Sequence, residues 1–286
     1  MLRWRNNMTI SPIIKADFLY NLAKNGKRAD GRQMNEYREV TIEPGIIEKA
    51  EGSARVRIGN TQVIAGVKMD IGDPYPDTPN QGVMSTAAEL IPLASPDFES
   101  GPPRKDAIEL ARVVDRGIRE SEVIQFDELC IIPGQKIWIA FIDIHIIDYD
   151  GNLFDAASLA SLAALLSANV PINRLKEKLQ SLVETYPEVQ EYLNNHPENY
   201  PLPMKEPPIS CTFVKFNDVV VVDPSLDEED IAQVRLTVAT DAKGDIRAMQ
   251  KGLQGSFTVD EIKNIIKEAH INGKELRKKL KESVGR

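Results

Sequence analysis

The sequence predicts a two-lobed α+β protein in which mixed β-sheets pack with helices. Three observations carry that expectation. Strand-like apolar runs recur in both halves of the chain, each group of strands is followed by a helical pattern, and a polar, proline-punctuated stretch separates the halves. The expected organisation is an N-terminal helix and arm over residues 1–32, a first domain over 33–171, a connecting segment over 172–208, and a second domain over 209–286 that ends in a helix. A chain of 286 residues is long enough to bury one large core or two modest ones.

Taken in order, Ser11 to Ala23 places Ile13, Ile14, Phe18, Leu19 and Leu22 at helical spacing behind a Ser-Pro start. The polar run from Asn25 to Val40 predicts a surface arm. "SARVRIGNTQVIAGVKMDIG" reads as a hairpin turning at Gly59-Asn60, with Ala54, Val56 and Ile58 alternating toward one face. "STAAELIPLASP" predicts a further strand. Beyond two prolines, "RKDAIELARVVDRGIRES" is helical, with Ile108, Ala111, Val114 and Asp115 defining competing faces. "GQKIWIAFIDIHIIDYDG" predicts a strand buried on both sides, and the alanine-rich "LFDAASLASLAALLSANVP" a helix packed closely on a sheet. A helical piece is expected near 184–194. Two hairpins turning at Asn217-Asp218 and Lys243-Gly244 follow, and a capping box from Thr258 to Glu261 opens a last helix with Ile262, Ile265, Ile266 and Ala269.

Composition removes several classes of function. The net charge is -8, which repels phosphate and excludes a general nucleic-acid coat while permitting a local basic groove. No apolar run reaches the roughly 18 residues of a membrane span, and the basic start lacks the apolar core of a signal peptide, so a cytoplasmic protein without a membrane partner is expected. Met8 offers a second start position. Cys130 and Cys211 lack metal-site spacing and are expected as buried thiols. His145, His196 and His270 are scattered, so neither metal nor cofactor is expected, and His145 reads as a core histidine within an apolar strand.

Four segments carry a resemblance. "RADGRQMNEYREV", "IGNTQVIAGVKMDI", "PGQKIWIAFIDIHIIDYDGNLFDAASLASLAAL" and "VVVVDPSLDEEDIAQVRLTVAT" together resemble the RNase PH family of phosphorolytic exoribonucleases, and within it the non-catalytic ring subunits of archaeal exosomes. The resemblance implies an RNase PH-like two-lobed fold in a hexameric ring of three heterodimers, with a catalytic RNase PH-like partner, RNA-binding cap subunits and single-stranded RNA as partners. Active members need an anion seat for inorganic phosphate and a carboxylate for proton transfer or metal binding. Where active members carry a Gly-Ser-Arg turn, this chain has Asn152, Leu153 and Phe154; where they carry an aspartate pair, it has Glu229 and Arg235. Arginine is neither a base nor a metal ligand near neutral pH. A catalytically inactive subunit is expected, the alternative being an active phosphorolytic nuclease. Arg28, Arg32 and Arg38 belong to the first motif and are expected to brace the ring interface through carboxylates.

The helix around Glu109–Ser121 places Arg112, Arg116 and Arg119 on one stripe, since offsets of four and seven share a face. Through the resemblance these three become the candidate RNA-binding residues, gripping the backbone without reading sequence. The alternative is a solvated face where they pair with Glu109, Asp115, Glu120 and Glu122. Arg104 and Lys105 extend the basic path or face solvent. Lys263, Lys267 and Lys274, interleaved with glutamates, read as a solvated face. A small-molecule kinase would need a glycine- and serine-rich phosphate loop, and the sequence has none.

Overall fold

The computed structural model describes residues 10–285. Helix α1 (Ile10–Lys24) leads through an irregular arm into a first sheet of β1 (Val40–Pro44), β2 (Gly52–Ile58), β3 (Thr61–Gly72), β4 (Val83–Leu90), β5 (Cys130–Ile132) and β6 (Lys136–Asp148). The strand order is β1-β2-β3-β6-β4, with β5 paired to the start of β6. Only β4 and β6 run parallel. Helix α2 (Lys105–Arg119) packs on β4, and α3 (Leu153–Leu166) packs on β2 and β3. A connecting region holds β7 (Asn169–Val170), α4 (Lys176–Val183), α5 (Val189–Asn195) and β8 (Tyr200–Pro201). The second sheet, antiparallel throughout, has the order β10-β9-β11-β12 from β9 (Ile209–Phe216), β10 (Val219–Val222), β11 (Val234–Thr240) and β12 (Ile246–Gly252). Helices α6 (Leu226–Ile231) and α7 (Val259–Val284) complete it.

The local signals hold. The β2–β3 turn uses Gly59 at a φ of +58°, β9 and β10 turn at Asn217-Asp218, and β11 and β12 turn through Gly244. Thr258 and Glu261 form the expected capping box, with the Glu261 amide donating to Thr258 Oγ1 at 3.2 Å. In α1, Leu19 and Ala23 turn inward while Phe18 is 58% exposed; the side chains of Ile13 and Ile14, like Met8, lie outside the described residues.

Three expectations are corrected. First, β6 is not buried on both sides: Ile142, Ile144 and Ile146 point into the core, whereas Phe141 and Asp143 are exposed on the outer face. Isoleucines occupy both faces of this strand, so a continuous apolar run conceals an ordinary half-buried sheet. His145 lies on that outer side, half-exposed, with Nδ1 3.4 Å from Glu89, and is not a core residue. Second, the β4 strand stops at Leu90, because Pro92 cannot donate to a ladder and the chain turns through a bond from the Ala94 amide to the Ile91 carbonyl at 3.0 Å. Third, the connecting region contains two short helices rather than one, and Leu179, Val189 and Tyr192 enter the core. There the Trp138 indole N–H donates to Tyr192 Oη at 2.7 Å, Tyr192 and Tyr200 hydroxyls lie 2.9 Å apart, and the His196 ring sits 4.6 Å from both phenol rings.

Helix α3 organises the interior. Every residue from Phe154 to Leu166 is buried, which only a run of alanine, serine and leucine permits when a helix is covered on several sides. A methyl group on Gly52 would lie 2.2 Å from the Ala164 carbonyl oxygen, so strand and helix backbones are in near contact. On its other side α3 meets β9, an inner strand of the second sheet, where the buried Thr212 amide and hydroxyl donate to the Asp155 carboxylate at 2.9 and 2.8 Å. Asp155 also accepts from Tyr37 Oη at 2.7 Å and Asn152 Nδ2 at 2.8 Å. Burial nonetheless lifts this carboxyl to a pKa of about 6.

The arginines of the arm serve the chain itself. Arg28 is buried against Glu228 and donates to the Val222 and Asp223 carbonyls, each at 2.8 Å. Arg32 and Arg38 both reach the fully buried Asp223 carboxylate at 2.8 Å, and Asn152 Nδ2 joins them at 2.7 Å. Burial alone would raise Asp223, but the Arg38 and Arg32 guanidiniums hold it below the usual carboxylate range. The expected bracing through carboxylates is therefore internal, tying the arm to the loop after β10.

Candidate nucleic-acid interface

Pro102 and Pro103 stop any preceding structure, and α2 begins at Lys105 with Asp106 in its first turn and Arg116 and Arg119 in its last, matching the helix dipole at both ends. Of the competing faces, the one bearing Ala107, Leu110, Ala111, Val114, Gly117 and Ile118 is buried, which leaves Ile108 48% exposed. Arg112, Arg116 and Arg119 are all exposed on the other side. They share a stripe and differ in their ties. Arg119 is held by Asp115 at 2.9 and 2.8 Å and by the Met84 carbonyl at 3.0 Å. Arg116 has one bond, 3.1 Å to Gln250 Oε1 on β12. Arg112 makes no hydrogen bond or ion pair among the described residues. Arg104 pairs with Glu99 at the surface.

The positions named by comparison with active family members converge at the start of α3. Asn152 adopts the left-handed region at φ +57°, which aims its amide at Glu229: the N–H donates to Oε1 at 2.9 Å. Tyr149 Oη donates to the second oxygen at 2.7 Å. Burial pushes the Glu229 carboxyl up, although these two donors and Arg235 oppose the shift. Phe154 lies beneath the Arg235 guanidinium, with the carbon 3.9 Å from the ring centroid, a cation–π contact. Arg235 pairs in turn with Glu109 on α2. Three segments far apart in sequence thus form one closed cluster, in which a carboxylate of the chain bonds to the amide at the helix start.

Sequence reasoning named Asn152, Leu153, Phe154, Glu229 and Arg235 but missed Tyr149 and the Glu109–Arg235 pair. Glu109 was visible three residues before Arg112; its partner, 126 positions away, was not. Of the cysteines, Cys211 is buried as expected and Cys130 is partly exposed; both are free. Among the described residues there is no cluster of three or more histidine, cysteine, aspartate or glutamate side chains placed to hold a metal. No helix among them is long and apolar enough to cross a membrane.

Residues 36–171 match the model of the 3′ exoribonuclease family, domain 1, and residues 206–272 match its domain 2. The chain is 49% identical over 272 residues to exosome complex component Rrp42 of Thermococcus gammatolerans, covering 95% of this chain and 96% of the relative. It is likewise 49% identical over 267 residues to the Rrp42 component of Methanocella arvoryzae, covering 93% of this chain and 95% of that one. Among solved structures, a chain of the Archaeoglobus fulgidus exosome with RNA bound to the active site superposes with a TM-score of 0.84 at 42% identity, covering 95% of this chain and 99% of that chain. A chain of an archaeal exosome core gives 0.81 at 39% identity, covering 95% and 98%. Both halves of the molecule, with the two-sheet fold that joins them, place this chain in the 3′ exoribonuclease family of RNase PH type.

Proposed function

We propose that this chain is a non-catalytic ring subunit of an exosome, which binds single-stranded RNA and helps to shape the active site of a catalytic RNase PH-like partner. The ring contains three heterodimers, works in the cytoplasm and carries RNA-binding cap subunits. The observation that carries the reading is the self-closed start of α3. An attacking phosphate would need open amides and a cation there, but the Asn152 N–H is taken by Glu229, Phe154 stands where the resemblance places an arginine, and Arg235 is occupied by Phe154 and Glu109. A second anion beside Glu229 would meet like charge. The exposed Arg112 and Arg116, on a chain of net charge -8, supply the complementary half of the reading: the molecule keeps local positive charge on α2.

Assay of the purified chain with poly(A), inorganic phosphate and magnesium tests this directly. Alone it is expected to release no ADP, and after assembly with the catalytic partner the complex is expected to degrade the polymer. Release of ADP by the chain alone, or a phosphate ion lodged beside Leu153 and Phe154 in a phosphate-soaked crystal, would overturn the proposal in favour of an independent nuclease.

A further inference from the structure

On α2, Glu109 stands one turn before Arg112, at the i,i+3 spacing that favours pairing of opposite charges. Left to itself, that carboxylate would draw the Arg112 guanidinium toward it and offset part of its charge. The fold prevents this. Arg235 reaches from β11 to Glu109, and its guanidinium has a built seat: the Phe154 ring lies beneath it at 3.9 Å, and Gly252, its cross-strand neighbour, leaves open the space the guanidinium occupies. A methyl group on Gly252 would come within 2.5 Å of Arg235 Nη2. The Arg235 side chain is only 15% exposed, against 40% for Glu109, so the arginine is the fixed member of the pair. Asp106, in the first turn of the same helix, is raised by burial and by Glu109 and lowered by Arg235, which agrees with one guanidinium answering two carboxylates.

We propose that Arg235 is a positioning residue for RNA binding: by holding Glu109 away from Arg112, it leaves the Arg112 guanidinium available to a backbone phosphate. The inference rests on the RNA-contacting reading of α2. It gives Arg235 a task beyond the absence of a catalytic acid at that position.

The test uses the assembled complex with its catalytic partner and a fluorescent oligo(A), titrated across a salt series. Arg235→Met preserves the apolar contact with Phe154 and releases Glu109; Arg235→Gln, a second variant, guards against failure of the first to assemble. Either is expected to weaken RNA binding about twofold to fivefold, the range of one exposed charge pair, and to flatten the dependence of log K on log salt by about 0.7, one phosphate contact on a single strand. Adding Glu109→Gln to the same chain is expected to restore both quantities. An unchanged affinity, or a loss that persists with Glu109→Gln, would overturn the proposal and leave Arg235 a packing residue only. Arg112→Ala with Arg116→Ala in parallel separates the two levels. If that pair binds RNA as the parent does, the reading of α2 has failed; if it weakens binding while the Arg235 variants do not, only the inference about Arg235 has failed.

Discussion

Two groups of three arginines, Arg28–Arg32–Arg38 in the arm and Arg112–Arg116–Arg119 on α2, use the same side chain to opposite ends. The first group, with Arg28 and Arg32 buried and Arg38 largely so, converges on Asp223 and Glu228. Its charges are matched inside the chain, and the planar guanidinium forks suit that task better than lysines would. The second group is exposed and unequally tied: Arg119 belongs to Asp115, Arg116 leans on an amide, and Arg112 has no partner among the described residues. The difference teaches that an arginine's role follows from where the fold places its nearest carboxylate. Internal neutralisation makes a brace, and its absence leaves positive charge exposed on α2.

Breaking the brace is expected to have the largest effect. Asp223→Ala removes the one buried carboxylate shared by Arg32 and Arg38, leaving them only the partly exposed Asp30 and Asp150, and a loss of about 3–5 kcal/mol should appear as a lowered midpoint in chemical denaturation. Removing the open pair is expected to do the reverse. Arg112→Ala with Arg116→Ala should change stability by less than about 0.5 kcal/mol, while the assembled complex binds oligo(A) about tenfold more weakly, as expected for lost charge-assisted contacts. An intermediate case sharpens the contrast. Asp115→Asn removes the carboxylate that neutralises Arg119 and leaves it only the Met84 carbonyl, and RNA affinity should rise by about twofold, measured by the same titration, at a stability cost within the range of a surface ion pair.

A separate expected effect depends on pH. Asp155, raised by burial to about 6, takes up a proton in the folded chain before the unfolded chain does. Its contribution to stability is therefore fully present below the ordinary aspartate range near pH 4 and fades as pH rises through about 6. The stability of the parent minus that of Asp155→Asn should grow on acidification from pH 7 to pH 4, followed by urea denaturation at each pH. A flat difference would remove Asp155 from the account.

What could be read in the sequence was local. Glycine and asparagine turns, the Thr258 capping box and the alanine-rich helix all declare themselves within a few residues, and so did the spacing of Arg112, Arg116 and Arg119. What escaped depends on partners brought from afar. The Arg28 contact spans 200 positions to Glu228, so the motif arginines were assigned to a neighbour's surface when their carboxylates lie in the same chain. The two faces of β6 were not separable because isoleucine stands on both. In the connecting region, a polar composition hid the few residues that matter, Leu179, Val189 and Tyr192. At the candidate site, the substitutions at 152–154, 229 and 235 were legible from the resemblance. That they bond to one another was not.

The clasp of Trp138, Tyr192 and Tyr200 has a practical consequence. The indole is fully shielded from solvent, and the hydrogen bond of its N–H ties the inner strand of the first sheet to α5. The sequence holds one other tryptophan, Trp4. With Trp4→Phe in place, ultraviolet emission from Trp138 alone would report whether the inter-lobe connection stays docked as the chain meets its neighbours, an optical gauge of assembly that needs no attached dye.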